Sequence, residues 1–143
     1  MIEIGRQTDR IVRRLKRRAR LAHVRFVREY AAERVEMPLS GMLAVVGITQ
    51  TVREKGCIGG YLSSSERGER YSVKAEIRVY APPGENGTGL SELVGCLLED
   101  LETADEEQVI TGAAAGSIEF DPDWNAVFRR VQFDMAFCLR EED

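Results

Sequence analysis

His23 is the only histidine in the 143 residues, so a Ser-His-Asp triad or a histidine-based metal cluster would have to be assembled around that one imidazole. It lies in Leu21-Ala22-His23-Val24, with no cysteine or paired carboxylates near it in the chain, and reads as a structural or surface residue. A second candidate is Gly56-Cys57-Ile58-Gly59-Gly60, which has the glycine content of a phosphate-cradling loop. That chemistry needs a following Lys-Ser/Thr and a helix whose N-terminus faces the anion, and neither follows Gly60. Asp121 and Asp123 could be taken for an acid–base pair, but they flank Pro122, and aspartate in a turn is favoured for hydrogen bonding to its own backbone. Asn86-Gly87-Thr88 matches a glycosylation acceptor. The opening Met1-Ile2-Glu3-Ile4-Gly5-Arg6 lacks the basic-then-apolar order of a secretion signal, so the match is read as chance.

The three cysteines, Cys57, Cys96 and Cys138, are an odd number without Cys-x-x-Cys spacing. That speaks against a disulfide framework and fits a reducing compartment. Cys57 is expected to be the most exposed, with Cys96 and Cys138 as packing residues. No catalytic residue, cofactor site or metal ligand is assigned, and the chain is not expected to be an enzyme.

Charge is the stronger signal. The formal net charge of −4 hides an asymmetry: eleven of the twenty Lys/Arg but only four of the twenty-four Asp/Glu fall in residues 1–34. Such polarity bears on association rather than on fold. One reading is a basic arm that contacts nucleic acid non-specifically through phosphates. The basic helix of residues 8–22 has no aromatic residue for stacking, however, and no helix-turn-helix spacing follows it. The other reading is a solvated face, or a positive patch that meets a neighbour's negative one.

These residues have to be placed by a single domain, since 143 residues fall within the typical span of one. A hydrophobic share of 43% beside 31% charged residues suits a globular core with a wet surface. No apolar run approaches the ~20 residues of a membrane span, so no membrane partner is expected. Residues 8–22 read as a very basic helix capped by Thr8 or Asp9, with Ile11, Leu15, Ala19 and Ala22 on a narrow apolar stripe. Val24, Phe26 and Val27 suggest a strand starting near His23. Residues 42–52 read as a strand covered on both sides, with Met42, Ala44, Val46 and Ile48 on one face and Leu43, Val45, Thr49 and Thr51 on the other. Residues 53–70, rich in Gly and Ser, form a long flexible loop. In residues 71–81, Tyr71, Val73, Ala75, Ile77 and Val79 face inward, while Lys74, Glu76 and Arg78 face water. Leu90, Leu93, Val94, Leu97, Leu98 and Leu101 define a helix whose opposite face carries Glu99, Asp100 and Glu102. Those acids sit at the end of the helix where the dipole disfavours them. Residues 108–120 and 124–140 form a final hairpin through Asp121-Pro122-Asp123, with a bulge or close approach at Gly112-Ala113-Ala114-Ala115-Gly116. The second strand is long enough that it should bend or project beyond the core. The expected fold is α+β: an antiparallel sheet of about four to five strands with two helices packed on one face.

The run Tyr71-Ser-Val-Lys-Ala-Glu-Ile-Arg-Val-Tyr-Ala-Pro82, then an amphipathic helix, a Gly/Ala-containing strand and a long aromatic strand, resembles the tail terminator proteins of long-tailed bacteriophages. The N-terminal helix before the first strands fits the same order. The resemblance implies a structural virion or prophage protein. It would form a homo-oligomeric ring, commonly a hexamer, on the head-proximal end of the tail tube. The ring stops polymerisation of the tube protein and offers a docking face to head-completion or neck proteins. It implies assembly in the bacterial host cytoplasm, residence in the virion tail, no cofactor and no catalytic residue. The candidate interface residues are Lys55, Ile58, Tyr61, Arg67 and Arg70 in the 53–70 loop, and Arg13, Arg17 and Arg20 on the basic segment.

Overall fold

The first helix, α1 (Ile2–Lys16), forms because Thr8, Ile11 and Leu15 recur at helical spacing and all three are buried. Arg13, Arg14 and Lys16 crowd its last turn, where the helix dipole favours cations. The computed structural model describes residues 2–28, 39, 41–54, 68–82, 89–106 and 108–140. Two expectations are corrected here. Thr8 and Asp9 lie inside the helix and do not cap it. The helix also ends six residues before Ala22, because Arg18 takes an extended conformation (φ −73°, ψ 127°) and a 3-10 turn, Ala19–Leu21, follows. The break sends Leu21 and Val24 into the core, and leaves Ala19 and Ala22 exposed.

The strands are β1 (Arg25–Arg28), β2 (Leu43–Glu54), β3 (Gly68–Tyr80), β4 (Ile110–Ala115), β5 (Glu119–Asp121) and β6 (Ala126–Arg140). A second helix, α2 (Leu90–Ala104), lies between β3 and β4 in the chain. The sheet runs β1-β2-β3-β6-β4, with β5 also paired to β6. The class is α+β as expected, but the sheet has six strands and is mixed: β1 runs parallel to β2. The chain between Arg28 and Leu43 has about the dozen residues a parallel crossover needs. Both helices pack on one face.

The core on that face joins Ile11, Leu15 and Leu21 to Leu90, Leu93, Val94, Leu97 and Leu101 over the inward residues of β2, β3 and β6. The opposite face is not simply wet. Val27, Leu39, Leu43, Val45, Tyr80, Ala126 and Phe128 form a second cluster there, with Trp124 packed on it. This explains why both faces of β2 begin apolar: Leu43, Ala44, Val45 and Val46 are all buried between the two clusters.

Two bulges interrupt the ladder. Thr49 is an extra residue in β2, between the Ile48↔Ala75 and Gln50↔Lys74 pairs. Thr111 is an extra residue in β4, between Ile110↔Met135 and Gly112↔Asp134. Both flank the same Lys74↔Asp134 pair of the central strands. Each threonine hydroxyl donates to a central-strand carbonyl, Thr49 to Lys74 O at 3.2 Å and Thr111 to Asp134 O at 3.3 Å. The bulge at Thr111 falls beside the Gly/Ala run that suggested one. The bulge at Thr49 corrects the alternation assigned to β2: side-chain period is two, so one extra residue inverts the faces. Thr51, opposite Val73, therefore lies on the helix-covered side.

Candidate interface

The basic segment meets α2 through side chains. Arg20 donates to Asp100 Oδ1 from Nη2 at 2.7 Å and to Glu99 Oε2 from Nη1 at 3.0 Å. Arg18 Nε lies 3.4 Å from Asp100 Oδ1. Arg14 donates to the carbonyl of Ala104, the last residue of α2, at 3.0 Å, and pairs with Glu106 at 3.4 Å. Three arginines thus neutralise the end of α2, where the acids oppose the dipole. Asp100 was expected on the wet face of α2, yet it is 1% exposed. The correction has a physical cause: a carboxylate enters a protein interior when cations and hydrogen bonds meet it there, and Arg18 and Arg20 do. These bonds raise the Arg20 pKa, hydrogen bonding to Asp100 being the largest contribution.

The other candidates divide. Arg13 and Arg17 are exposed, with no ion pair or hydrogen bond of their side chains among the described residues. Arg20 is taken up by α2. Arg70 is exposed on β3, between Glu54 and Cys138 in the ladder. Lys55, Ile58, Tyr61 and Arg67 lie outside the described residues, as do Cys57 with its glycines and Asn86-Gly87-Thr88. A groove of about 210 Å³ runs between α1 and β1, lined by Asp9, Val12, Arg13, Lys16, Phe26 and Arg28. Asp9 and Arg28 form an ion pair across it.

On the uncovered face, Glu76 was expected to be wet but is buried. Arg130 Nη1 lies 3.3 Å from both of its oxygens, and Arg78 Nε lies 3.5 Å from Oε1. Arg130 also donates to Glu119 at 2.8 Å, the main reason its pKa is raised, and lies over the Phe128 ring at 5.4 Å. Tyr80 sits between Trp124 and Phe128, with centroids 4.6 and 4.9 Å away, and donates to Asp121 Oδ2 at 3.2 Å. Burial in that cluster pushes the phenol up to about 12. Asp121 also accepts from the amides of Asp123 and Trp124, so it is the turn residue it was read to be.

His23 is exposed. Cys96 is a free thiol packed at the margin of the core. Cys138 departs from the expectation of a reduced packing cysteine: it is disulfide-bonded. An odd cysteine count does not forbid one bridge, and spacing cannot reveal a pair brought together by the fold. Among the described residues, no cluster of three His, Cys, Asp or Glu side chains could hold a metal ion. Nor is any described helix long and apolar enough to cross a membrane. The surface feature missed by periodicity is on β5 and just before it: Ile118 is 53% exposed and Phe120 58%. A three-residue strand is too short to display an alternation, so only their apolar type was available as a signal.

No protein-family model matches the chain, and no relative was found among curated proteins.

Proposed function

We propose that the chain is a tail terminator of a long-tailed bacteriophage or prophage, acting as a ring of copies on the head-proximal end of the tail tube. There it stops addition of tube protein and receives a head-completion or neck protein. The observation that carries this reading is the order of elements: a basic N-terminal helix, paired strands, the β3 strand followed by Ala81-Pro82, the leucine-faced α2, the Gly/Ala strand β4 and the long aromatic β6. That is the order on which the resemblance rests. The work proposed is structural, done by surfaces and needing no catalytic group. Binding of nucleic acid by the basic segment is the weaker reading, because Arg14, Arg18 and Arg20 are turned onto α2 and only part of the cationic face is left to meet phosphates.

The test is polymerisation of the tail tube protein from the same genome with and without the purified chain, followed by negative-stain electron microscopy. Capped tubes of limited length, bearing a ring at one end, are the expected result. Unchanged tube lengths with no chain bound to either end would sink the reading.

A further inference from the structure

Each lateral side of the molecule pairs a sheet edge with a helix. Among the described residues β1 pairs only with β2, and β4 and β5 only with β6, so these strands are the two edges of the described sheet. On the first side, α1 lies beside β1 across the groove that holds Arg13, Lys16 and Arg28. Residues 10–28 contain no acid. Arg13, Lys16 and Arg17 are exposed and have no ion-pair partner among the described residues.

On the second side, α2 lies beside β4 and β6, with Ser91 accepting from Arg129, itself bonded to Gly116 O. Glu102 shares the helical stripe of Ser91, three turns further along. Residues 110–125 carry Glu119, Asp121 and Asp123 and no lysine or arginine. Glu119 and Asp121 already meet Arg130 and Tyr80, leaving Asp123 and Glu102 as exposed charges. Edge strands are ordinarily blunted by lysine or proline. Here the residues from Gly112 to Ala114 are small, uncharged and exposed, and Ile118 and Phe120 stand out beyond them.

We propose that copies of this chain join head to tail, the basic α1/β1 side of one seated on the acidic, apolar β4/β5 side of the next, with Ile118 and Phe120 buried in the joint. The opposite charges select this pairing over like sides meeting, and they speed encounter. The contact uses two different surfaces of one chain, so it closes into a ring if the rotation per step divides a full turn. The inference rests on the reading above only in its premise that copies associate; it adds which surfaces meet.

A charge-swap test separates the two. One variant carries Arg13→Glu and Arg17→Glu, placing negative charge on the basic side where the two exposed cations stood. The other carries Glu102→Arg and Asp123→Arg, placing positive charge on both sides. All four positions are exposed, and circular dichroism verifies folding. Native mass spectrometry and light scattering at low ionic strength (~50 mM), where charge interactions are least screened, read the assembly state. Wild type is expected to oligomerise, each variant alone to associate about tenfold more weakly or not at all, and an equal mixture of the two to recover oligomers. Phe120→Ser, an exposed position, should weaken assembly without electrostatic change. Variants that oligomerise as well as wild type overturn the joint and leave the terminator reading intact. A wild type that stays monomeric under these conditions also overturns the joint. Oligomers with the expected swap pattern that fail to cap tubes leave the joint standing and overturn the terminator reading.

Discussion

At the level of single residues, Tyr80 is a group whose ionisation the fold resists. Its ring is closed in by Trp124 and Phe128, and its phenol ionises near 12 rather than at the ordinary 10.0. The folded-state value is raised, so the associated stability is fully present below pH 10 and is lost as the pH climbs through 12. Chemical denaturation between pH 9 and about 12 should show this decline in the wild type and a shallower one in Tyr80→Phe, which cannot ionise. An equal decline in both would place the alkaline sensitivity elsewhere. Tyr80 also illustrates what residue type conceals. It ends a strand whose alternation puts it on the same side as Lys74, Glu76 and Arg78, yet it is the largest of the fully buried side chains among the described residues. The aromatic groups that cover it come from the turn before β6 and from β6 itself, more than forty positions away. Asp100 and Glu76 mislead for a similar reason: Arg20, which meets Asp100, and Arg130, which meets Glu76 beside the nearby Arg78, are distant in the chain, so the acids read as wet.

Among the elements, the link between the basic segment and α2 is asymmetric in its energetics. Arg18 and Arg20 are each nearly half exposed, while Asp100 is buried. Removing the arginines strands a carboxylate in the interior, at a cost on the order of 3 kcal/mol. Replacing Asp100 with asparagine leaves the arginines able to hydrate and keeps an acceptor in place, at about 1 kcal/mol. The double variant Arg18→Ala/Arg20→Ala should therefore lower the thermal midpoint more than Asp100→Asn, as measured by calorimetry. The reverse order would mean the ion pair matters less than packing at this junction. Periodicity located α2, β3 and β6 because each has an apolar face, interrupted in β6 only at Arg129, that needs only its own residues to be read. It did not reveal that β1 runs parallel to β2, since strand direction is set by the path between them. Nor did it reveal the bulge at Thr49, since a β-branched residue continues a strand pattern whether or not it is paired.

For the molecule as a whole, β3 and β6 form the centre, each flanked by partners on both sides, and both the main core and the second cluster are anchored on them. The edges are β1 on one side and β4 with β5 on the other. Local opening is easiest where few partners must be released. Hydrogen exchange should be slowest for amides of residues 72–79 and 128–135, and faster in β1 and β5. Slow exchange in β5 that sets in only as protein concentration rises would instead report the edge contact proposed above. Of the candidate interface, the charge asymmetry was legible in the sequence. Its division was not: Arg14, Arg18 and Arg20 serve the fold, while Arg13, Lys16 and Arg17 remain outward; position around α1 separates Arg14 from Arg13 and Lys16, and the break at Arg18 turns Arg18 and Arg20 onto α2.

The paired threonine bulges have a consequence for how this chain would be matched to distant relatives. Each adds one position to a strand flanking the β3–β6 pair, while those two strands run through unchanged. A lineage that lost Thr49 or Thr111 would keep every inner-strand position, yet be one letter shorter in the flanking strand. Aligned without a gap there, it would look as though its remaining residues had exchanged inside for outside. Opening a single gap at those two points would restore the correspondence, so a profile that tolerates one-residue length changes at 49 and 111 should detect kinship that a rigid one overlooks.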